Sequence, residues 1–217
     1  MKIIKISSLE DAAKFTLKKV ELVTNKHSPF YLVLTGGRYG NYLLNYFLKN
    51  EVDISGWKIF LTDERLNCRN EDINAIQLLK KLKILKGFNK NNIHFFYSGS
   101  QNPELSIKPV SKEIDMIENK KFNICLLSLG EDGHLAGHFN SSVLMKDNRF
   151  VYTKEAPKPN NFRVSFRISW LTESDLIILC IKGESKRKAY SELIQKRGTH
   201  SELIEKEKLV IMSDLTV

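Results

Sequence analysis

Apolar and β-branched residues gather in runs at 30–35, 57–62, 93–97, 122–129, 150–153, 163–168, 176–181 and 209–212. Several of these runs are continuous rather than alternating, which is how strands buried on both faces of a sheet read. Between them, apolar residues recur at helical spacing over 9–22, 42–48, 73–82, 110–117 and 185–194. Strands alternating with amphipathic helices predict a mostly parallel sheet with helices on both faces, and short crossovers predict a single doubly wound α/β domain. No shift of composition divides the chain. The proline-bearing stretch 155–161 reads as a loop between strands, too short for an interdomain linker.

Composition narrows the picture without changing it. A chain of 217 residues is long enough for one large α/β core, and its 42% hydrophobic and 27% charged residues are those of a globular protein. No run is long and apolar enough to span a bilayer, and the first residues lack a signal-peptide pattern. The three cysteines, Cys68, Cys125 and Cys180, have no metal or redox spacing, and two of them sit inside strand-like runs. A cytoplasmic protein without metal is the expectation. The net charge of +9 comes from lysines spread among acids along helix faces, with no basic arm or aromatic-basic platform, so nucleic acid is not an expected partner.

Candidate chemistry clusters where strands end, since ligands of open α/β sheets bind outside the carboxyl ends of the strands. Thr35-Gly36-Gly37-Arg38-Tyr39-Gly40 follows one strand and precedes a helix expected near Asn41. Its glycines can turn backbone N–H groups toward an anion, or simply make a turn. Thr62-Asp63-Glu64-Arg65 follows the next strand. Asp63 can orient a proton or hydroxyl and Arg65 can meet a phosphate or a neighbouring acid; equally, the stretch can be a surface turn with a salt bridge. In Gly130-Glu131-Asp132-Gly133-His134, His134 is a candidate proton carrier or a satisfied core imidazole, and Asp132 its partner or the cap of a following helix. His138, four residues on, raises a metal pair on a helical face, but the pattern is not His-Glu-x-x-His. Finally, Lys182-Gly183-Glu184-Ser185-Lys186 opens a helix with Ser185 as expected N-cap. Lys186 lies in the first turn, where positive charge is disfavoured unless it meets an anion.

These blocks, in this order, resemble the 6-phosphogluconolactonases, relatives of the glucosamine-6-phosphate isomerase/deaminase fold. The family pattern runs S-G-G-S/T, then G-D-E-R with a later S-N, then G-x-D-G-H-T-A-S-L-F-P, P-K-P-P-x-R and G-E-S-K-A. Its counterparts here are Thr35-Gly36-Gly37, Thr62-Asp63-Glu64-Arg65 with Asn74, and Gly130-Glu131-Asp132-Gly133-His134-Leu135-Ala136. Pro157-Lys158-Pro159 with Arg163, and Gly183-Glu184-Ser185-Lys186, complete the series, and Asn92-Ile93-His94 matches a family strand. The resemblance implies a Rossmann-like domain over 1–217, monomeric or weakly dimeric, that hydrolyses a six-carbon lactone bearing a 6-phosphate in the oxidative pentose phosphate pathway. It assigns His134, Asp132, Asp63 and Arg65 to catalysis, and Gly36, Gly37, Arg38, Asn74, Arg163 and Lys186 to substrate and phosphate. No cofactor is implied, because water is the nucleophile and no electrons move.

The chain departs from the pattern at two places. Arg38-Tyr39 replaces a hydroxyl residue after the glycines, where Arg38 can contact phosphate or fill the loop. Leu135-Ala136-Gly137-His138-Phe139-Asn140 loses two hydroxyls and a proline after the histidine. The isomerase/deaminase branch carries a glutamate at the position of Phe139, which weighs against an aminosugar-phosphate deaminase. A non-catalytic phosphosugar-binding protein is the remaining alternative.

Overall fold

The computed structural model describes residues 1–157, 161–197 and 199–216. Its strands are β1 (Lys2–Lys5), β2 (Phe30–Leu34), β3 (Trp57–Leu61), β4 (Asp63–Arg65), β5 (Ile93–His94), β6 (Ile124–Ser128), β7 (Val143–Leu144), β8 (Phe150–Thr153), β9 (Arg163–Phe166), β10 (Leu176–Ile181) and β11 (Leu209–Ser213). The helices are α1 (Leu9–Thr24), α2 (Gly37–Lys49), α3 (Asn74–Leu82), α4 (Pro103–Asp115), α5 (Ile168–Leu171) and α6 (Arg187–Ile194). None of the described helices is long and apolar enough to cross a membrane.

Seven strands form an all-parallel sheet in the order β1-β11-β10-β6-β2-β3-β5. The continuous apolar runs sit at its centre, where β6, β2 and β10 are buried along almost their whole length. From β2 the chain builds outward through β3 to β5, and from β6 in the other direction through β10 to β11. The strand order therefore reverses between β2 and β6. A crevice opens at such a switch point, outside the carboxyl ends of the strands, and the glycine-flanked turns after β2 and β6 are its two lips.

The expected mostly parallel sheet is thus present, and a second, antiparallel sheet that the runs did not reveal stands beside it. The predicted strands 150–153 and 163–168 pair instead in the order β4-β9-β8-β7. Thr62 is the junction, since its N–H donates to Leu34 in β2 and its carbonyl accepts from Phe166 in β9. An aromatic cluster joins the sheets: Phe122 packs on Phe60 of β3 at 4.9 Å and on Phe166 of β9 at 5.5 Å. Burial of such rings, with their edge-on contacts, is a major source of core stability.

Local signals account for most helix starts. Ser8 and Asp11 form a reciprocal capping box on α1, an arrangement worth about 1 kcal/mol. Asn102 caps α4 with Pro103 in its first turn, so that helix begins seven residues before the predicted 110, with Pro109 inside it. Of the run 93–97, only Ile93–His94 pairs as a strand. The run 163–168 stops at Phe166, and Ile168 starts α5.

Candidate active site

The lips of the crevice, together with β4 and the turn after β10, enclose a cavity of about 550 Å³, within the range of small-molecule sites. Gly36, Gly37, Arg38, Asp63, Arg65, Asn74, His134, Arg163 and Lys186 all line it. Asp132 does not; it stands behind His134, in the wall of a smaller neighbouring cavity of about 240 Å³.

The lip after β2 is the start of α2, which begins at Gly37 rather than near Asn41. The N-cap is Gly36, so no side-chain oxygen occupies the first N–H groups of the helix. A helix start without a side-chain cap favours negative charge. Arg38 is exposed and lines the cavity, whereas Tyr39 turns inward, 3% exposed, with its hydroxyl 2.5 Å from Thr16 Oγ1. Burial, above all, pushes the Tyr39 phenol far up. Both residues of this departure line the cavity, but Tyr39 is buried and held by Thr16 whereas Arg38 is exposed.

The β4 strand sorts its residues by alternation. Asp63 and Arg65 reach the cavity, while Glu64 is fully buried on the other side. Asp63 accepts a 2.7 Å hydrogen bond from Thr62 Oγ1. Directly across the antiparallel pair from Arg65 lies Arg163, 5% exposed. Burial first, and then the like charge of Arg65, push the Arg163 guanidinium down. Two arginines opposite each other are unfavourable unless something negative is placed between or beside them. Arg65 Nη1 also lies 3.8 Å from Asp72. Asn74, buried at the start of α3, donates through Nδ2 to the Asp63 carbonyl at 3.4 Å.

After β6 the chain makes a turn rather than a helix, so of the two readings of Asp132 the helix cap fails and pairing with His134 stands. Gly133 (φ +86°) and Ala136 (φ +53°) break any helical path, so His134 and His138 do not share a helical face. Instead His138 packs at a tilt against His200 at 4.9 Å, and among the described residues no group of three or more acids, histidines and cysteines could hold a metal ion. His134 Nδ1 is hydrogen-bonded to Asp132 Oδ1, and the imidazole lies over the Phe139 ring at 4.5 Å. Gly130 makes this possible, because a Cβ there would sit 2.2 Å from His134 Nδ1. Burial raises the Asp132 carboxyl, but its hydrogen bonds with His134 outweigh this and hold it below the usual range. The turn is tied to the second sheet where the Gly137 N–H donates to Ser165 Oγ at 3.1 Å.

The turn after β10 holds Lys186, whose Nζ donates to Ser128 Oγ at 3.2 Å across the cavity floor. Gly183 (φ +106°) turns the backbone, and Asp214 anchors it by accepting from the Gly183 N–H at 3.0 Å and Lys182 Nζ at 2.8 Å. Ser185 is not an N-cap. A 3-10 turn precedes α6, and the Ser185 hydroxyl donates to Glu131 at 3.0 Å, linking this turn to the histidine turn. Of the proline block, Lys158 and Pro159 lie outside the described residues.

Sequence reasoning passed over Glu64, Ser128 and Asp214, which hold cavity residues in place. Each looks like an ordinary surface polar residue until pairing of the strands buries or surrounds it.

A fixed hydrogen-bonded imidazole thus faces a cavity whose walls carry Arg38, Arg65, Arg163 and Lys186 beside Asp63, a set suited to an anionic substrate and proton transfer. Known proteins share this frame. The family model described as glucosamine-6-phosphate isomerases/6-phosphogluconolactonase matches residues 6–211. A probable chloroplastic 6-phosphogluconolactonase 4 of Oryza sativa subsp. indica is 26% identical, over 92% of this chain and 67% of its own. The solved 6-phosphogluconolactonase of Thermotoga maritima superposes with a TM-score of 0.82 at 20% identity, covering 98% of each chain. A monomeric glucosamine-6-phosphate deaminase also superposes, at 0.78 and 15% identity over 98% of this chain and 97% of its own. The backbone alone therefore does not separate lactonase from deaminase. With nearly its whole length matched, the chain belongs to the glucosamine-6-phosphate isomerase/6-phosphogluconolactonase family.

Proposed function

We propose that the protein hydrolyses 6-phospho-D-glucono-1,5-lactone to 6-phosphogluconate in the oxidative pentose phosphate pathway. The observation that carries this reading is the Asp132–His134 pair at the rim of a cavity lined by arginines and a lysine. With Nδ1 committed to Asp132, the neutral imidazole keeps its lone pair on Nε2. Nε2 takes a proton from water as the water oxygen bonds to the lactone carbonyl carbon. Arg65 stabilises the tetrahedral oxyanion, with Arg163 opposite it. The bond from that carbon to the ring oxygen then breaks, and the His134 imidazolium returns the proton to the ring oxygen. Asp63 orients substrate hydroxyls. The start of α2 at Gly36 and Gly37, with Arg38 and Lys186, receives the 6-phosphate, and Asn74 completes the wall. No redox step or cofactor enters this scheme.

Phe139 favours this reading over aminosugar deamination, because the position that holds a glutamate in the deaminase branch places an aromatic ring against the imidazole here. We also place the protein in the cytoplasm, a reading supported by its free thiols at Cys68, Cys125 and Cys180. The test is lactone hydrolysis by the parent and by His134→Ala, corrected for spontaneous ring opening. The parent should accelerate hydrolysis, and the variant should lose about 10²-fold or more of kcat while still binding 6-phosphogluconate. Equal rates would sink the mechanism. Tight product binding without turnover by the parent would select a phosphosugar-binding protein instead.

A further inference from the structure

Glu64 is fully buried, yet it is the only member of β4 that does not reach the cavity. Both oxygens of its carboxylate accept from backbone donors. Oε1 accepts from the N–H of Arg65 at 2.8 Å and of Asn74 at 2.9 Å, and Oε2 accepts from the N–H of Ala75 at 2.7 Å. Asn74 and Ala75 open α3, whose N-cap, Ile73, has no side-chain acceptor to offer. One carboxylate therefore caps the helix from a distance and ties it to the strand.

The two side chains whose backbone it grips at either end, Arg65 and Asn74, both face the cavity. An apolar contact would join strand and helix without burying a charge, and buried charges are poor stabilisers. Burial pushes the Glu64 carboxyl up to about 7, against the pull of its three N–H partners, so the arrangement is costly to the fold. The neighbouring charges are Asp63 and Arg65 on its own strand, Arg163 on β9 and the Cys68 thiol beyond β4.

We infer that Glu64 is a positioning residue: its carboxylate locks the first turn of α3 onto β4 and so presents Arg65 and Asn74 to the substrate. The inference takes the identity of that substrate from the lactonase reading. It is tested in the full chain with Glu64→Gln, which replaces one acceptor oxygen by an amide donor and strands one of the three N–H groups. The variant should melt within a few degrees of the parent. Its KM for the lactone should rise, and its affinity for 6-phosphogluconate in calorimetry should fall, by about tenfold. Amide exchange at Asn74 and Ala75 should accelerate. A purely structural residue would shift the melting point and leave KM and product affinity unchanged, which would overturn the proposal, as would unchanged exchange at both amides. If Glu64→Gln does not fold, Glu64→Asp, which keeps the charge but cannot span all three donors, is read by the same measurements. Failure of the parent to hydrolyse lactone would defeat the lactonase reading but not this one, which then stands or falls on amide exchange and 6-phosphogluconate affinity.

Discussion

Asp132 is hydrogen-bonded to Nδ1 of His134, and in the proposed mechanism that bond leaves Nε2 to move the proton. In Asp132→Asn, an amide that donates to Nδ1 would drive the proton to Nε2 and present the wrong tautomer to water. The expected outcome is a fall in kcat of about 10²–10⁴-fold with product affinity near the parent value, measured by lactone hydrolysis and calorimetry. Parent-like kcat would mean that Asp132 only shapes the turn. At this scale much of the site was legible: Asp63, Arg65, His134 and Lys186 sit at strand ends, where glycine and polar residues interrupt apolar runs, and all four line the cavity. Glu64 was not legible, since nothing in Asp-Glu-Arg distinguishes an exposed glutamate from one that alternation and pairing with β9 bury. The burial of Tyr39 beside an exposed Arg38 was hidden for the same reason, because it depends on Thr16 of α1, far away in sequence.

The turn between β6 and His134 acts as a unit built around small residues. Gly130 does not need glycine for its backbone angle, as φ there is not positive. It needs glycine because His134 and Asp132 crowd its α-carbon: an added Cβ lies 2.2 Å from His134 Nδ1 and 2.5 Å from Asp132 Oδ1. Gly130→Ala should therefore swing the imidazole off its partner while the parallel sheet beneath stays intact. Kinetics should show kcat falling at least about tenfold, as expected when a catalytic group is displaced, with thermal melting little changed. A crystal structure of the variant with the imidazole in place would refute this. Central strands of the parallel sheet were predicted well because burial on both faces leaves long apolar runs, as in β2, β6 and β10, whereas the largely exposed edge strand β1 was missed. The antiparallel sheet was not distinguished because β8 and β9 are buried almost as fully, so their runs look alike. Short β4, made wholly of charged residues, carries no strand signal at all; Thr62 and the partner β9 create it.

Over the whole molecule, buried titratable groups pull stability in opposite directions as pH changes. Burial depresses His94 and His138 from 6.5 to about 4, Glu113 opposing it at His94 and His200 adding to it at His138. Burial depresses His200 as well. An unfolded chain protonates the His94 and His138 rings near pH 6.5 and the folded chain only near 4, so their contribution is present above about 6.5 and is lost as pH falls toward 4, and His200 acts in the same direction. Glu64 has the opposite sign. Its folded carboxyl holds a proton up to about 7 and the unfolded one only to 4.5, so its contribution is present below 4.5 and is lost as pH rises through 7. Three histidines against one glutamate predict a net loss of stability on acidification from pH 6.5 to 4. Urea midpoints across that range should fall in the parent, fall less in His94→Gln, and fall more steeply in Glu64→Gln, which lacks the compensating proton. Midpoints that rise on acidification, or a Glu64→Gln slope equal to the parent's, would show that these groups do not titrate as their burial demands. The same glutamate would then be ionised in the folded protein at every working pH, and the α3 start it caps would carry a fixed charge rather than one exchanged with solvent.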